Sequence, residues 1–233
     1  MSTPVISAVV FDLDGVLIES ERLWDEARRE VVAEHNGTWR DGATAAMQGM
    51  SSPEWSSYLH DDLGVDLAPD RIVALVIEQL FERYDRGLPL VPGAMDAVRR
   101  VGRRWPLALA SSANRVVIDK VLAVARLQDA FQVTVSSEEV PRGKPAPDVY
   151  LEAVRRLGLP PNNCAAVEDS ANGIRSAVAA GLHVVAVPNH DFPPPAGVLK
   201  TADAVVPTVD QLTVELFEGL GRNERQTGSG SGA

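Results

Sequence analysis

The first apolar run of the chain, VISAVVF at residues 5–11, is rich in β-branched side chains and ends abruptly in Asp12-Leu13-Asp14-Gly15. Runs of this kind form strands buried on both faces of a parallel sheet, and Asp and Gly are depleted from strand interiors. The pattern therefore predicts a central strand with two carboxylates at its carboxyl edge, the edge at which open α/β sheets bind ligands. Beyond it the spacing becomes helical. Ser20 opens a helix whose face carries Leu23, Ala27 and Val31, closed by Asn36-Gly37. Asp41 caps a short helix through Met47. Ser51-Ser52-Pro53-Glu54 starts a helix that ends near Gly64, with Pro at the first helical position and an acid in the first turn. Ala68-Pro69-Asp70 opens another, carrying Ile72, Leu75, Val76, Gln79 and Leu80 and running to Arg86-Gly87. No strand pattern interrupts the stretch from about Val16 to Leu88.

From Leu90 the pattern alternates. A helix from Pro92-Gly93 to Arg104 precedes a strand over Leu107–Ala110. A helix from about Asn114 to Ala125 and a strand over Phe131–Val135 follow. Next come a helix from Pro145 through Leu157, a strand over Cys164–Val167, a helix over 171–180, a strand over His183–Val187, a short strand over Ala204–Val206 and a last helix near Asp210–Leu220. Strands alternating with helices imply a doubly wound parallel sheet, and right-handed crossovers bring every strand's carboxyl end to one edge. The expected fold is α/β: a Rossmann-like core over 1–16 and 89–221, an inserted helical cap over 17–88, and a disordered Gly/Ser-rich tail over 222–233.

Composition narrows the function classes. No apolar stretch of the 233 residues approaches the ~18 that a membrane span needs. The amino terminus lacks a signal-peptide pattern, and the single cysteine, Cys164, excludes an internal disulfide, so the reading is a cytoplasmic protein with no membrane partner. A net charge of −10 disfavours nucleic acid, whose phosphates demand Lys/Arg patches. Nothing in the pattern demands more than a monomer. An acidic chain that binds a phosphate must, however, bring a cation to receive it.

The strand ends supply the chemistry: Asp12 and Asp14 after the first, Ser111 after the second, Lys144 in the loop after the third, Glu168 and Asp169 after the fourth. Taken singly, each has a plainer reading. A DxD is turn chemistry, Ser111 a helix cap, Lys144 a solvated lysine, and Glu168-Asp169 a charged helix start. Their joint placement at one edge outweighs these readings. Carboxylates facing one point repel unless a cation lies between them, and hard oxygen ligands suit Mg²⁺, which leaves positions for a substrate phosphate. One carboxylate can attack phosphorus, and a second, two residues on, can protonate the leaving oxygen and then activate water. Lys144 and Ser111 can hold phosphoryl oxygens in the transition state.

FDLDG at 11–15, LALASSAN around Ser111, GKPAPD at 143–148 and VEDSANG at 167–173 resemble the haloacid dehalogenase superfamily, in its β-phosphoglucomutase-like phosphatase branch. The resemblance spans about residues 5–220. It implies Asp12 as nucleophile and Asp14 as general acid/base, with Ser111, Ser112 and Lys144 on the phosphoryl group. It also implies Mg²⁺ held by Asp12, the Asp14 carbonyl and Asp169, with Glu168 in or next to that shell. Asp14 favours phosphate-ester chemistry over dehalogenation. The mutase branch carries a histidine and a cap arginine where this chain has Trp24 and Ser52, so hydrolysis of a small phosphorylated metabolite is expected rather than mutase activity, or a non-catalytic binding module. Arg22, Trp24, Gln48 and Ser51 are the cap positions taken as substrate-facing. Glu19 replaces the family's usual aspartate near the hinge.

Overall fold

The computed structural model describes residues 6–47, 50–189 and 193–220; the tail expected over 222–233, residue Val5 and the candidate Gln48 lie outside them. Six parallel strands form one sheet: β1 (Ala8–Phe11), β2 (Leu107–Ser111), β3 (Val133–Ser136), β4 (Cys164–Glu168), β5 (His183–Ala186) and β6 (Ala204–Val205). Their order is β3-β2-β1-β4-β5-β6, so β1 is central. This is the doubly wound order in which the strand sequence reverses beside β1 and leaves a crevice at the carboxyl edge. Registers such as Phe11↔Leu109 and Phe11↔Val167 bring the ends of β2 and β4 level with the residues that follow β1.

The helices are α1 (Glu21–Glu34), α2 (Ala43–Ala46), α3 (Ser52–Asp61), α4 (Pro69–Arg86), α5 (Ala94–Gly102), α6 (Arg115–Ala125), α7 (Asp148–Leu157), α8 (Ala171–Ala179), α9 (Ala196–Leu199) and α10 (Val214–Leu220). The chain divides into two compact units. One comprises the described residues through Ile18, Leu90–Ala113 and those from Leu127 onward; the other comprises Glu19–Pro89 with Asn114–Arg126. The sheet lies in the first unit. Every residue of β1, β2, β4 and β5 is buried, as helices on both faces require. One face is lined by Ala8, Val10, Ala108, Ala110 and Ala166, whose small side chains admit α7 and α8 through Tyr150, Val154, Ile174 and Ala177. On the other side Phe11 meets Phe131 edge-on at 6.2 Å, and Trp105 meets Phe217 at 5.6 Å.

In the second unit, α4 packs against α1, α3 and α6. Trp24 and Trp55 meet edge-to-face at 6.1 Å, and Ile72, Val76 and Leu80 bury the α4 stripe. Ser52 Oγ donates to Asn114 Oδ1 at 2.8 Å, tying the first turn of α3 to the cap of α6. The grouping of α6 with α1, α3 and α4 was not legible from the pattern, because α6 follows a strand of the sheet.

Local differences have local causes. In α1 the buried face is Trp24, Ala27, Val31 and Val32, and Leu23 is only half-buried: Trp24 and Leu23 compete for one stripe, and the indole takes it against Trp55. The cap of α2 is Gly42, at φ +86°, rather than Asp41. The short helix α9 carries too few residues to show a period.

Candidate active site

Each strand end delivers one or two polar groups. Asp12 directly follows β1, with its N–H on Val167 O at 3.0 Å, so the carboxylate is fixed to the β1–β4 pair. Glu168 is the last residue of β4 rather than the first after it, and is fully buried; Asp169 follows and is 6% exposed, like Asp12. Lys144 lies in the loop between β3 and α7, and its side chain is 5% exposed. Its Nζ donates to Asp12 Oδ1 at 2.7 Å, Glu168 Oε1 at 2.6 Å and Ala110 O at 3.0 Å, which uses all three ammonium protons.

Glu168 is saturated. Oε1 accepts from Lys144 and from the Tyr150 hydroxyl at 2.8 Å; Oε2 accepts from the N–H groups of Asp169 (3.1 Å) and Ser170 (3.2 Å) and from Ser170 Oγ (3.1 Å). Two glycines make room for the acids. A Cβ on Gly15, itself at φ +81°, would lie 1.9 Å from Asp169 Oδ2, and one on Gly173 would lie 1.8 Å from Glu168 Oε1. No side chain fits at either place.

Electrostatics follow from burial. Asp12 is pushed up to about 7: burial raises it most, Lys144 opposes this, and Glu168 and Asp14 raise it further. Asp169 is raised well above the usual carboxylate range, first by burial and then by Glu168 and Asp12. For Lys144, burial acts to lower the value, but Asp12 and Glu168 together outweigh it, and the ammonium is held more firmly than in water. The Tyr150 hydroxyl is pushed up by burial and by Glu168, so it stays a donor.

Asp12, Glu168 and Asp169 each offer an oxygen within 4.8 Å of the others. Three carboxylates against one ammonium leave two uncompensated negative charges, the charge a divalent cation supplies. The all-oxygen donor set fits Mg²⁺. Because Glu168 already accepts five hydrogen bonds, Asp12 and Asp169 are the better-placed ligands.

The remaining candidates are distributed as follows. Ser111 is fully buried at the end of β2, and its Oγ accepts from Ala113 N at 3.0 Å. Ser112 is exposed, and its carbonyl accepts from Ser137 Oγ. Asp14 is half-buried in the turn that Gly15 N closes onto Ile18 O at 2.7 Å. Arg22 is exposed and pairs with Glu26 at 3.6 Å. Trp24 is a packing residue of the second unit, and Ser51 caps α3, donating from N and Oγ to Glu54. Sequence reasoning missed Tyr150 and Gly173. The signals available were a tyrosine on the apolar face of α7 and a glycine in the first turn of α8.

A family model described as haloacid dehalogenase-like hydrolase matches residues 6–181. Hexitol phosphatase B of Escherichia coli is 36% identical over 200 residues, covering 81% of this chain and 86% of that protein. The crystal structure of CbbY from Rhodobacter sphaeroides in complex with phosphate superposes with a TM-score of 0.78 at 28% identity, over 89% of this chain and 96% of that one. β-Phosphoglucomutase from Clostridium difficile shares the fold, with a TM-score of 0.79 at 21% identity over 94% and 99%. With its motifs at the ends of β1, β2 and β4 and in the loop after β3, the chain belongs to the haloacid dehalogenase-like hydrolases.

Proposed function

We propose that the chain is a Mg²⁺-dependent phosphatase that hydrolyses a small phosphorylated metabolite, a sugar or polyol phosphate, through a phosphoryl group carried on Asp12. The observation that carries this reading is the Asp12–Lys144–Glu168 chain at 2.7 and 2.6 Å, beside a second buried acid, Asp169. The activity of hexitol phosphatase B and the phosphate bound by CbbY support the substrate class.

A carboxylate oxygen of Asp12 attacks phosphorus, the P–O bond to the leaving group breaks, and Asp14 gives its proton to the departing alkoxide. Asp14 then takes a proton from water, which attacks the same phosphorus; the acyl-phosphate P–O bond breaks, and Asp12 and phosphate are released. Lys144 keeps Asp12 oriented and meets phosphoryl charge with its ammonium; Ser111 Oγ–H and the backbone N–H groups near Ser112 add donors. Asp12, Asp169 and the Asp14 carbonyl would hold Mg²⁺, which lets a phosphate enter an acidic site and screens its charge. Glu168 is the anchor of Lys144 and stands next to that shell. Residues 17–88 act as the cap that selects substrate and limits water. The cytoplasm and a monomeric state complete the reading.

Trp24 and Ser52 do not favour a mutase: the first is packed against Trp55, and the second is held by Asn114. A panel of sugar, polyol and nucleoside monophosphates, assayed for phosphate release with and without Mg²⁺, tests the proposal. Metal-dependent turnover of one chemical class is expected; no release from any ester refutes it.

A further inference from the structure

Two hydroxyls at the end of β3 hold the loop that follows β2. Ser136 and Ser137 are adjacent in the chain, and each donates to the carbonyl of a different loop residue: Ser136 Oγ to Ala113 O at 2.7 Å, and Ser137 Oγ to Ser112 O at 2.9 Å. The pairing Ser111↔Ser136 sets the two strand ends level. Ser136 is fully buried, and its hydroxyl also accepts from Glu138 N at 3.2 Å, so its one proton is committed to Ala113. All of these residues lie in the unit that contains the sheet.

The consequence for Ser111 follows from peptide geometry. The Ser112 carbonyl and the Ala113 N–H belong to one planar trans peptide and point in opposite directions. Ser137 fixes the carbonyl end, and the N–H end donates to Ser111 Oγ at 3.0 Å. That bond occupies a lone pair of Ser111 and leaves its single proton to be given elsewhere. The bonds form a chain from the Ser137 hydroxyl through the 112–113 peptide to Ser111 Oγ. Each bond in such a chain polarises the next, which makes Ser111 a better donor. Ala110, the residue before Ser111, accepts from Lys144 Nζ at 3.0 Å, so this chain ends next to the Asp12–Lys144 pair. Ser137 also borders the loop that carries Lys144: a Cβ on Gly143 would lie 3.6 Å from Ser137 Cβ. A plainer role for the hydroxyl is to satisfy one carbonyl. Ser112 is exposed, however, and water would satisfy that carbonyl without fixing the direction of its peptide.

We infer that Ser137 is a positioning residue for phosphoryl transfer: it fixes the 112–113 peptide so that Ser111 gives its proton to a phosphoryl oxygen. This rests on the reading of Ser111 as a phosphoryl-binding residue. Ser137 acts through Ser111 and not on the substrate.

A double-substitution cycle tests it, with the unsubstituted protein, Ser137→Ala, Ser111→Ala and the double variant. Two quantities are measured in Mg²⁺: kcat/KM for a generic aryl phosphate, and the affinity for inorganic phosphate by calorimetry. Thermal unfolding of each variant confirms that the assays read folded protein. Ser137→Ala is expected to lower kcat/KM by about three- to tenfold, the worth of one hydrogen bond. In the Ser111→Ala background the same substitution should cost less than about twofold, because the proton it directs is gone. Phosphate affinity should show the same dependence on background. Equal losses in both backgrounds, or no loss in either, overturn the inference, since a hydroxyl that only stabilises the loop acts alike with and without Ser111. Failure of the phosphatase reading appears separately, as no phosphate release from any ester while phosphate affinity still couples Ser137 to Ser111. Absence of both turnover and phosphate binding overturns both.

Discussion

Gly173→Ala sets two effects of opposite sign against each other. Gly173 lies in the first turn of α8, where helix propensity alone favours alanine by about 1 kcal/mol. A Cβ there would meet Glu168 Oε1, Cδ and Oε2 at 1.8, 1.9 and 2.0 Å, against the 3.4 Å of ordinary contact. The carboxylate must therefore retreat by about 1.5 Å, further than any of its five hydrogen bonds can stretch and survive. Glu168 is fully buried, and its retreat also strips one of two carboxylate partners from Lys144. Breaking one side of a buried ion pair costs about 3–5 kcal/mol, which exceeds the propensity gain several-fold. For a chain of this size about 2–4 °C is lost per kcal/mol, so the expected fall is roughly 5–15 °C. Thermal unfolding followed by circular dichroism measures it. Gly197→Ala in α9, where an added Cβ meets nothing within 4 Å, is the control and should leave the midpoint within about 2 °C. A Gly173→Ala midpoint equal to or above that of the unsubstituted protein would refute the claim that Glu168 is locked in place by this contact.

Three further outcomes follow. Tyr150→Phe keeps the buried ring and removes one donor from Glu168, a hydrogen bond to a charged group worth about 1.5–3 kcal/mol; urea unfolding should show that loss, with calorimetric Mg²⁺ affinity changed less than by Asp169→Asn. Mg²⁺ at about a hundred times its dissociation constant should stabilise the protein by about 2.7 kcal/mol, seen as a rise in melting temperature that Asp169→Asn removes. In metal-free protein, Asp12 titrates near 7 rather than at the ordinary 3.8, chiefly because of burial. A carboxyl raised on folding favours the folded state while it is protonated, so that contribution is complete below about pH 4 and lost as the pH rises through 7. The melting temperature in chelator should therefore fall from about pH 4 to 7 and level off above that, and Mg²⁺ should reduce the fall.

The centre of the sheet was legible because β1, β2 and β4 are short apolar runs that stop at polar residues, Asp12, Ser111 and Glu168-Asp169. Helix α4 was equally plain, since Pro69 opens it, Gly87 closes it and Ile72, Val76 and Leu80 keep the period between them. What failed was whatever depended on a distant partner. Tyr150 looks like any aromatic on an apolar face until its hydroxyl is found on Glu168, and Gly173 looks like a weak helix residue until the carboxylate behind it is seen. Arg28, on α1, reads as a surface charge in a helix full of charges; only the guanidinium's place 5.2 Å from the Trp24 ring centroid and 4.8 Å from that of Trp55 distinguishes it. Trp24 displaced Leu23 from the buried stripe because Trp55 lies opposite, and no local pattern encodes that partner.

The central claim is that Asp12 carries the phosphoryl group. The most direct measurement is a single turnover of a generic aryl phosphate in Mg²⁺, quenched in acid and digested, with the peptide containing Asp12 examined by mass spectrometry. The account predicts one added phosphoryl group on Asp12, formed at least as fast as phosphate is released and absent from Asp12→Asn, which should also lose turnover. Phosphate release at the ordinary rate from Asp12→Asn, or turnover with no phosphorylated Asp12 peptide at any time, would contradict it.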